Sequence, residues 1–122
     1  MKPPIFVVEA NGDISAFPSA ADAEHHVESV DVEDGEYVGA YDSEGRRLSL
    51  VVTKPSARRG FLFKFIRFVK LTPVALKEEE SDPRHAAELR ELLVGALSRI
   101  NYQPASDIEL RDLTAEAFRR FQ

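Results

Sequence analysis

Along residues 36–53, EYVGAYDSEGRRLSLVVT, Val38 and Ala40 alternate with Tyr37, Gly39 and Tyr41, then Asp42-Ser43-Glu44-Gly45 intervenes, and Leu48, Leu50 and Val52 resume the alternation. A period of two on both sides of a polar, Gly-bearing stretch predicts a β-hairpin. Ile5-Phe6-Val7-Val8 is uninterrupted instead, which suits a strand covered on both faces. Asn11-Gly12 predicts a tight two-residue turn, because both residues tolerate positive φ, and Ile14 to Phe17 the returning strand. Pro18 ends that strand. Ser19 with Asp22 resembles a capping box, so a short helix begins at Ala20, with Ala20, Ala23, Val27 and Val30 on one face. Asp31 to Gly35, DVEDG, forms an acidic loop leading into the hairpin.

Beyond the hairpin, 54–60 has loop composition and Thr72 to Glu79 predicts a fifth strand, with Pro73 at its start where a missing N–H does least harm. Between them, Phe61 to Leu71 fits two patterns. As a strand neither face is clean; as a helix, Lys64, Arg67 and Lys70 share one stripe and the remainder is apolar, which favours the helix. Asp82-Pro83 predicts a helix start, and Leu89, Leu92, Leu93, Ala96, Leu97 and Ile100 its buried stripe, leaving Glu88, Arg90, Glu91 and Arg99 to water. Pro104 breaks the chain. Ser106 with Glu109 resembles a second capping box, opening a last helix whose apolar face is Leu110, Leu113, Ala117 and Phe121. The order predicts an α+β fold: an antiparallel four- to five-stranded sheet built as hairpin, helix and hairpin, packed with two C-terminal helices, all in one domain over 1–122.

Length and composition agree with that picture. At 122 residues with 43% hydrophobic and 30% charged positions, the chain suits one folded core. It has no Cys, which removes disulfides and thiolate ligands and fits a reducing, cytoplasmic setting. The apolar run at 5–8 is too short for a secretory signal, and no segment approaches the ~20 apolar residues of a membrane span. Charge is strongly segregated: residues 3–45 hold eleven Asp/Glu and no Lys/Arg, residues 46–77 nine Lys/Arg and no Asp/Glu, and the net charge is −5. Such blocks either neutralise each other or keep one face charged for a partner.

Reaction chemistry is hard to find in these residues. Without Cys there is no thiol nucleophile, and neither Gly-x-Ser-x-Gly nor a phosphate loop nor a dinucleotide fingerprint occurs. His25 and His26 point about 100° apart on a helix and do not share a metal ion easily. His85 falls in the first turn of a helix, where the dipole disfavours a cation, so a structural role suits it. Carboxylates on polar loops lack the apolar burial that makes an acid catalyst. No catalytic residue, metal ligand or cofactor site is assigned, and the chain reads as a non-enzyme.

The stretch VVEANGDISAFPSAADAEHHVESVDVEDGEYVGAYDSEGRRLSLVV, followed by SDPRHAAELRELLVGAL, resembles small bacterial immunity proteins of contact-dependent and related polymorphic toxin systems. The likeness lies in the strand-turn-helix order, the acidic loop and the Tyr-Asp-x-x-Gly-Arg turn at 41–46. It implies a cytoplasmic antidote that binds one cognate toxin, often a nuclease, and blocks its active site or substrate groove. A nuclease presents a cationic groove, which an acidic cluster could enter with electrostatic steering. Asp31, Glu33, Asp34 and Glu36, with Asp42 and Glu44 at the neighbouring turn, are the expected contacts with the toxin. The alternative is an accessory domain that binds anionic membrane or nucleic acid through the basic block at 46–77, using Arg58, Arg59, Lys64, Arg67 and Lys70. The negative net charge opposes nucleic-acid binding at long range.

Overall fold

The computed structural model of the chain describes residues 1–27, 32, 35–52 and 74–122. The helix expected at 61–71, Val30, three of the four loop acids and the five cations of the alternative reading all lie outside these residues.

Strand β1 (Ile5–Glu9) buries all four residues of its apolar run, as a strand covered on both sides must. It is flanked by β2 (Ile14–Phe17) and β3 (Tyr37–Tyr41); β4 (Arg47–Val52) and β5 (Val74–Glu78) complete an antiparallel sheet of order β2-β1-β3-β4-β5. The period-two alternation sorts the side chains between two cores. Phe6, Val8, Ile14, Ala16 and Tyr41 face Leu89, Leu93, Leu97, Leu113 and Ala117 of α2 (Ala86–Arg99) and α3 (Leu110–Phe121). Ile5, Val7, Ala40, Leu48 and Leu76 face Ala23 of α1 (Ala20–His26). Among the described residues, α1 therefore packs on one face of the sheet and the C-terminal pair on the other. The Glu24 carboxylate of α1 also accepts the Leu76 N–H of β5 at 2.7 Å, occupying a donor on the last strand of the sheet.

Both hairpin turns follow one plan. The β1–β2 turn is a three-residue loop, Ala10-Asn11-Gly12, rather than the two-residue turn that Asn-Gly predicts. Gly12 donates to the Glu9 carbonyl at 2.9 Å with φ of 94°, and Glu9 in turn donates to Asp13. This is a turn closed by a left-handed glycine. Asn11 serves it differently, its side-chain oxygen accepting the Asp13 N–H at 3.0 Å. The β3–β4 loop, Ser43-Glu44-Gly45, repeats the plan: Gly45 donates to the Asp42 carbonyl and Asp42 to that of Arg46.

Helix α1 starts where expected, with the Ser19 hydroxyl accepting the Asp22 N–H at 3.1 Å. Neither C-terminal helix uses its expected cap. Asp82 and Pro83 belong to a turn, and α2 begins at Ala86 because the His85 N–H is taken by the Gly45 carbonyl at 3.0 Å, pinning the helix start to the hairpin loop. Gly45 must be small there, since a Cβ would stand 2.4 Å from the Ala86 Cα. Ser106 likewise lies in a turn, and α3 begins at Leu110 after Glu109. At the far end of α2, Asn101 adopts φ of 64° while Tyr102 and Asn101 donate to the Leu97 and Ser98 carbonyls, a Schellman closure. That closure turns Ile100 outward at 46% exposure, so it leaves the buried stripe.

Candidate functional site

The expected contact acids divide by position. Asp42 is 0% exposed and does not belong to an acidic surface. Its Oδ1 accepts the backbone N–H groups of Glu44 at 3.0 Å and Arg46 at 2.8 Å; its Oδ2 accepts the Lys2 N–H at 3.0 Å and the Arg46 guanidinium at 3.1 Å. Glu44 is half-exposed and bound to the same guanidinium. Hydrogen bonds to Glu44 and Asp42 hold Arg46 above its ordinary value. The two turn acids thus organise a loop, as Asp and Glu beside an arginine commonly do. Glu36 differs: it is exposed, one residue ahead of β3. Asp31, Glu33 and Asp34 lie outside the described residues.

Across the sheet, Glu88 does not face water alone as the helical pattern predicts. Its carboxylate, 43% exposed, accepts the Tyr41 hydroxyl at 2.6 Å, lies 2.9 Å from the His85 Nδ1 and 3.3 Å from the Arg47 guanidinium. The hydrogen bond from Tyr41 is the main cause that holds Glu88 below its ordinary value, with His85 and Arg47 assisting against burial. Burial, reinforced by that hydrogen bond, pushes Tyr41 well above the usual phenol range, so it stays a neutral donor. Arg47 also approaches Glu79 at 3.6 Å, and Ser49 donates to Glu79 at 2.9 Å. This cluster ties α2 to β3 and β4. With its tyrosine held protonated and its carboxylate held charged by donors, it works as a brace.

Beyond the brace the sheet opens. Strand β3 pairs with β1 down to Tyr37, and β4 pairs with β5 out to Val52, yet among the described residues β3 and β4 pair with each other only at Ala40–Leu48 and Tyr41–Arg47. The strands diverge into a cleft of about 230 Å³ lined by Val32, Tyr37, Val38, Gly39, Leu48, Ser49, Leu50 and Glu79. Val38, at 57%, is the most exposed large apolar side chain among the described residues. The cleft sets Val, Leu and Tyr side chains beside a carboxylate, with more polar than apolar surface accessible inside it, and exposed Glu36 stands immediately before Tyr37. The alternation of 36–53 conceals this opening; the interior Gly39 is its one signal, because a strand glycine often marks irregular pairing.

Among the described residues no group of His, Asp and Glu is placed to hold a metal ion, and no helix is long and apolar enough to cross a membrane. Comparison with family models, with curated proteins and with solved structures returned no match.

Proposed function

We propose that the chain is an immunity protein: a binding domain that neutralises one cognate bacterial toxin through acidic residues ahead of β3, Asp31, Glu33, Asp34 and Glu36. The observation that carries this reading is the contrast between the acids. Those of the hairpin turn are engaged by Arg46, whereas Glu36 is exposed beside an open, partly apolar cleft. Acidic charge next to exposed apolar surface suits a protein partner with a cationic patch: charge speeds and orients the encounter, and apolar burial holds the complex. A nuclease groove has that character. Of the basic block, Arg46 is engaged by Asp42 and Glu44, and Arg47 by Glu79 and Glu88; the cations of the membrane or nucleic-acid alternative, Arg58, Arg59, Lys64, Arg67 and Lys70, lie outside the described residues. The test is co-expression with the product of the adjacent upstream reading frame. Restored growth together with a stoichiometric complex supports the reading; growth arrest that this chain does not relieve rejects it.

A further inference from the structure

We propose that the cleft between β3 and β4 seats an extended segment of the partner, with a basic side chain directed at Glu79 and its apolar neighbours against Val38 and Leu50. This rests on the immunity reading and specifies the partner element it requires. Three features converge on that occupant.

The first is the interrupted ladder. Past Ala40–Leu48, β3 keeps β1 on one side and β4 keeps β5 on one side, and among the described residues the two strands do not pair with each other again. An extended segment lying across that opening can direct single side chains between the two strands. The second is size. About 230 Å³ is less than the roughly 300–1,000 Å³ of sites that enclose small-molecule ligands, and it accommodates individual side chains. The third is chemistry. Tyr37, Val38 and Leu50 offer apolar contact, while Glu79 is the charged side chain of the lining and Glu36 precedes the mouth. Arg47 stands 3.6 Å from Glu79 Oε2, which also accepts from Ser49, and the Glu79 side chain is 40% exposed; a carboxylate has two oxygens and can accept from a second cation. A segment alternating apolar and basic residues satisfies all three features. An acidic one meets Glu79 and Glu36 as like charges.

The experiment uses the full chain with methyl and amide NMR labels and two blocked peptides as probes, Ac-Val-Lys-Val-Arg-Val-NH2 and Ac-Val-Glu-Val-Glu-Val-NH2. The basic peptide is expected to shift the Val38, Leu48 and Leu50 methyls and the Gly39 and Ser49 amides, and the acidic one to leave them in place. Val38→Lys, which adds bulk and like charge at an exposed position, and Glu79→Gln, which keeps the hydrogen bond from Ser49, should each weaken the response by about ten-fold while spectra elsewhere show an intact fold. Val38→Thr, close to isosteric, should bind nearly as well as the parent. Equal response to both peptides, shifts centred elsewhere, or indifference to both variants overturns the proposal. The two readings also fail separately. Growth rescue undiminished by Val38→Lys and Glu79→Gln overturns the cleft assignment while the antidote role stands. Selective cleft binding in a chain that rescues nothing removes the antidote role while a basic, extended occupant stands.

Discussion

Replacing Asp42 by Ala should be among the costliest single changes in the protein. The carboxylate is fully buried and accepts three backbone N–H groups and one guanidinium, at 2.8–3.1 Å. Alanine leaves these donors without an acceptor and leaves Arg46 without its buried partner. Each hydrogen bond to a charged group contributes about 1.5–3 kcal/mol, but the four share one carboxylate, and water reaches the partly exposed donors, so they do not add. Breaking a buried pair by removing one member costs about 3–5 kcal/mol, and we take that as the expected loss. Against a total stability of about 5–15 kcal/mol it is a large fraction, equivalent to roughly 10–20 °C in Tm. Asp42→Asn keeps an oxygen for the Glu44 and Arg46 amides but turns a donor towards Lys2 or the guanidinium, and should cost about 2 kcal/mol. Glu44→Ala, at a half-exposed partner of the same arginine, should cost less than about 1 kcal/mol. Urea unfolding followed by far-UV circular dichroism measures all three. An Asp42→Ala loss below about 1 kcal/mol, or an equal loss from Glu44→Ala, would refute the loop-organising role.

Other consequences follow from the brace and the turn. Gly45→Ala combines a positive φ with a Cβ 2.4 Å from the Ala86 Cα and should cost more than about 2 kcal/mol, read as a lower urea midpoint; a change within about 0.5 kcal/mol contradicts the close approach of loop and helix. The folded chain holds Glu88 below its ordinary 4.5, so its contribution is present above that pH and disappears as pH falls through the lower folded value. Stability measured from pH 6 downward should therefore decline less steeply in Glu88→Gln than in the parent, and identical slopes contradict this. Burial and the Glu88 hydrogen bond raise Tyr41 above its ordinary 10.0, so phenolate absorbance should show one of the three tyrosines ionising later than the others or only on unfolding. Three tyrosines titrating together would remove the brace from the account.

The sheet was legible because its patterns are local. Ile5 to Val8 reads as doubly covered and Ser19 with Asp22 as a cap, and both form as read; the 36–53 alternation yields the two strands of a hairpin, paired next to its turn. Expectations missed where a distant contact decided the outcome. Asp82-Pro83 carries a sound helix-start signal, yet the Gly45 carbonyl takes the His85 N–H and moves the start of α2 to Ala86. Glu88 sits at a helical position that periodicity assigns to water, and Tyr41, 47 residues earlier, draws it inward. Asp42 looks like a surface turn acid because sequence shows its charge and not its four donors. The cleft was invisible for the same reason: alternation in β3 and β4 says nothing about where their pairing stops.

The central claim is that acidic charge ahead of β3 captures a cationic protein. Its most direct test is the affinity and association rate of the complex with the neighbouring gene's product, at low and high salt, for the parent and for a variant with Asp31, Glu33, Asp34 and Glu36 all changed to Ala. The account predicts a sharply weaker complex whose association rate has lost most of its salt dependence. Unchanged affinity in that variant would contradict it.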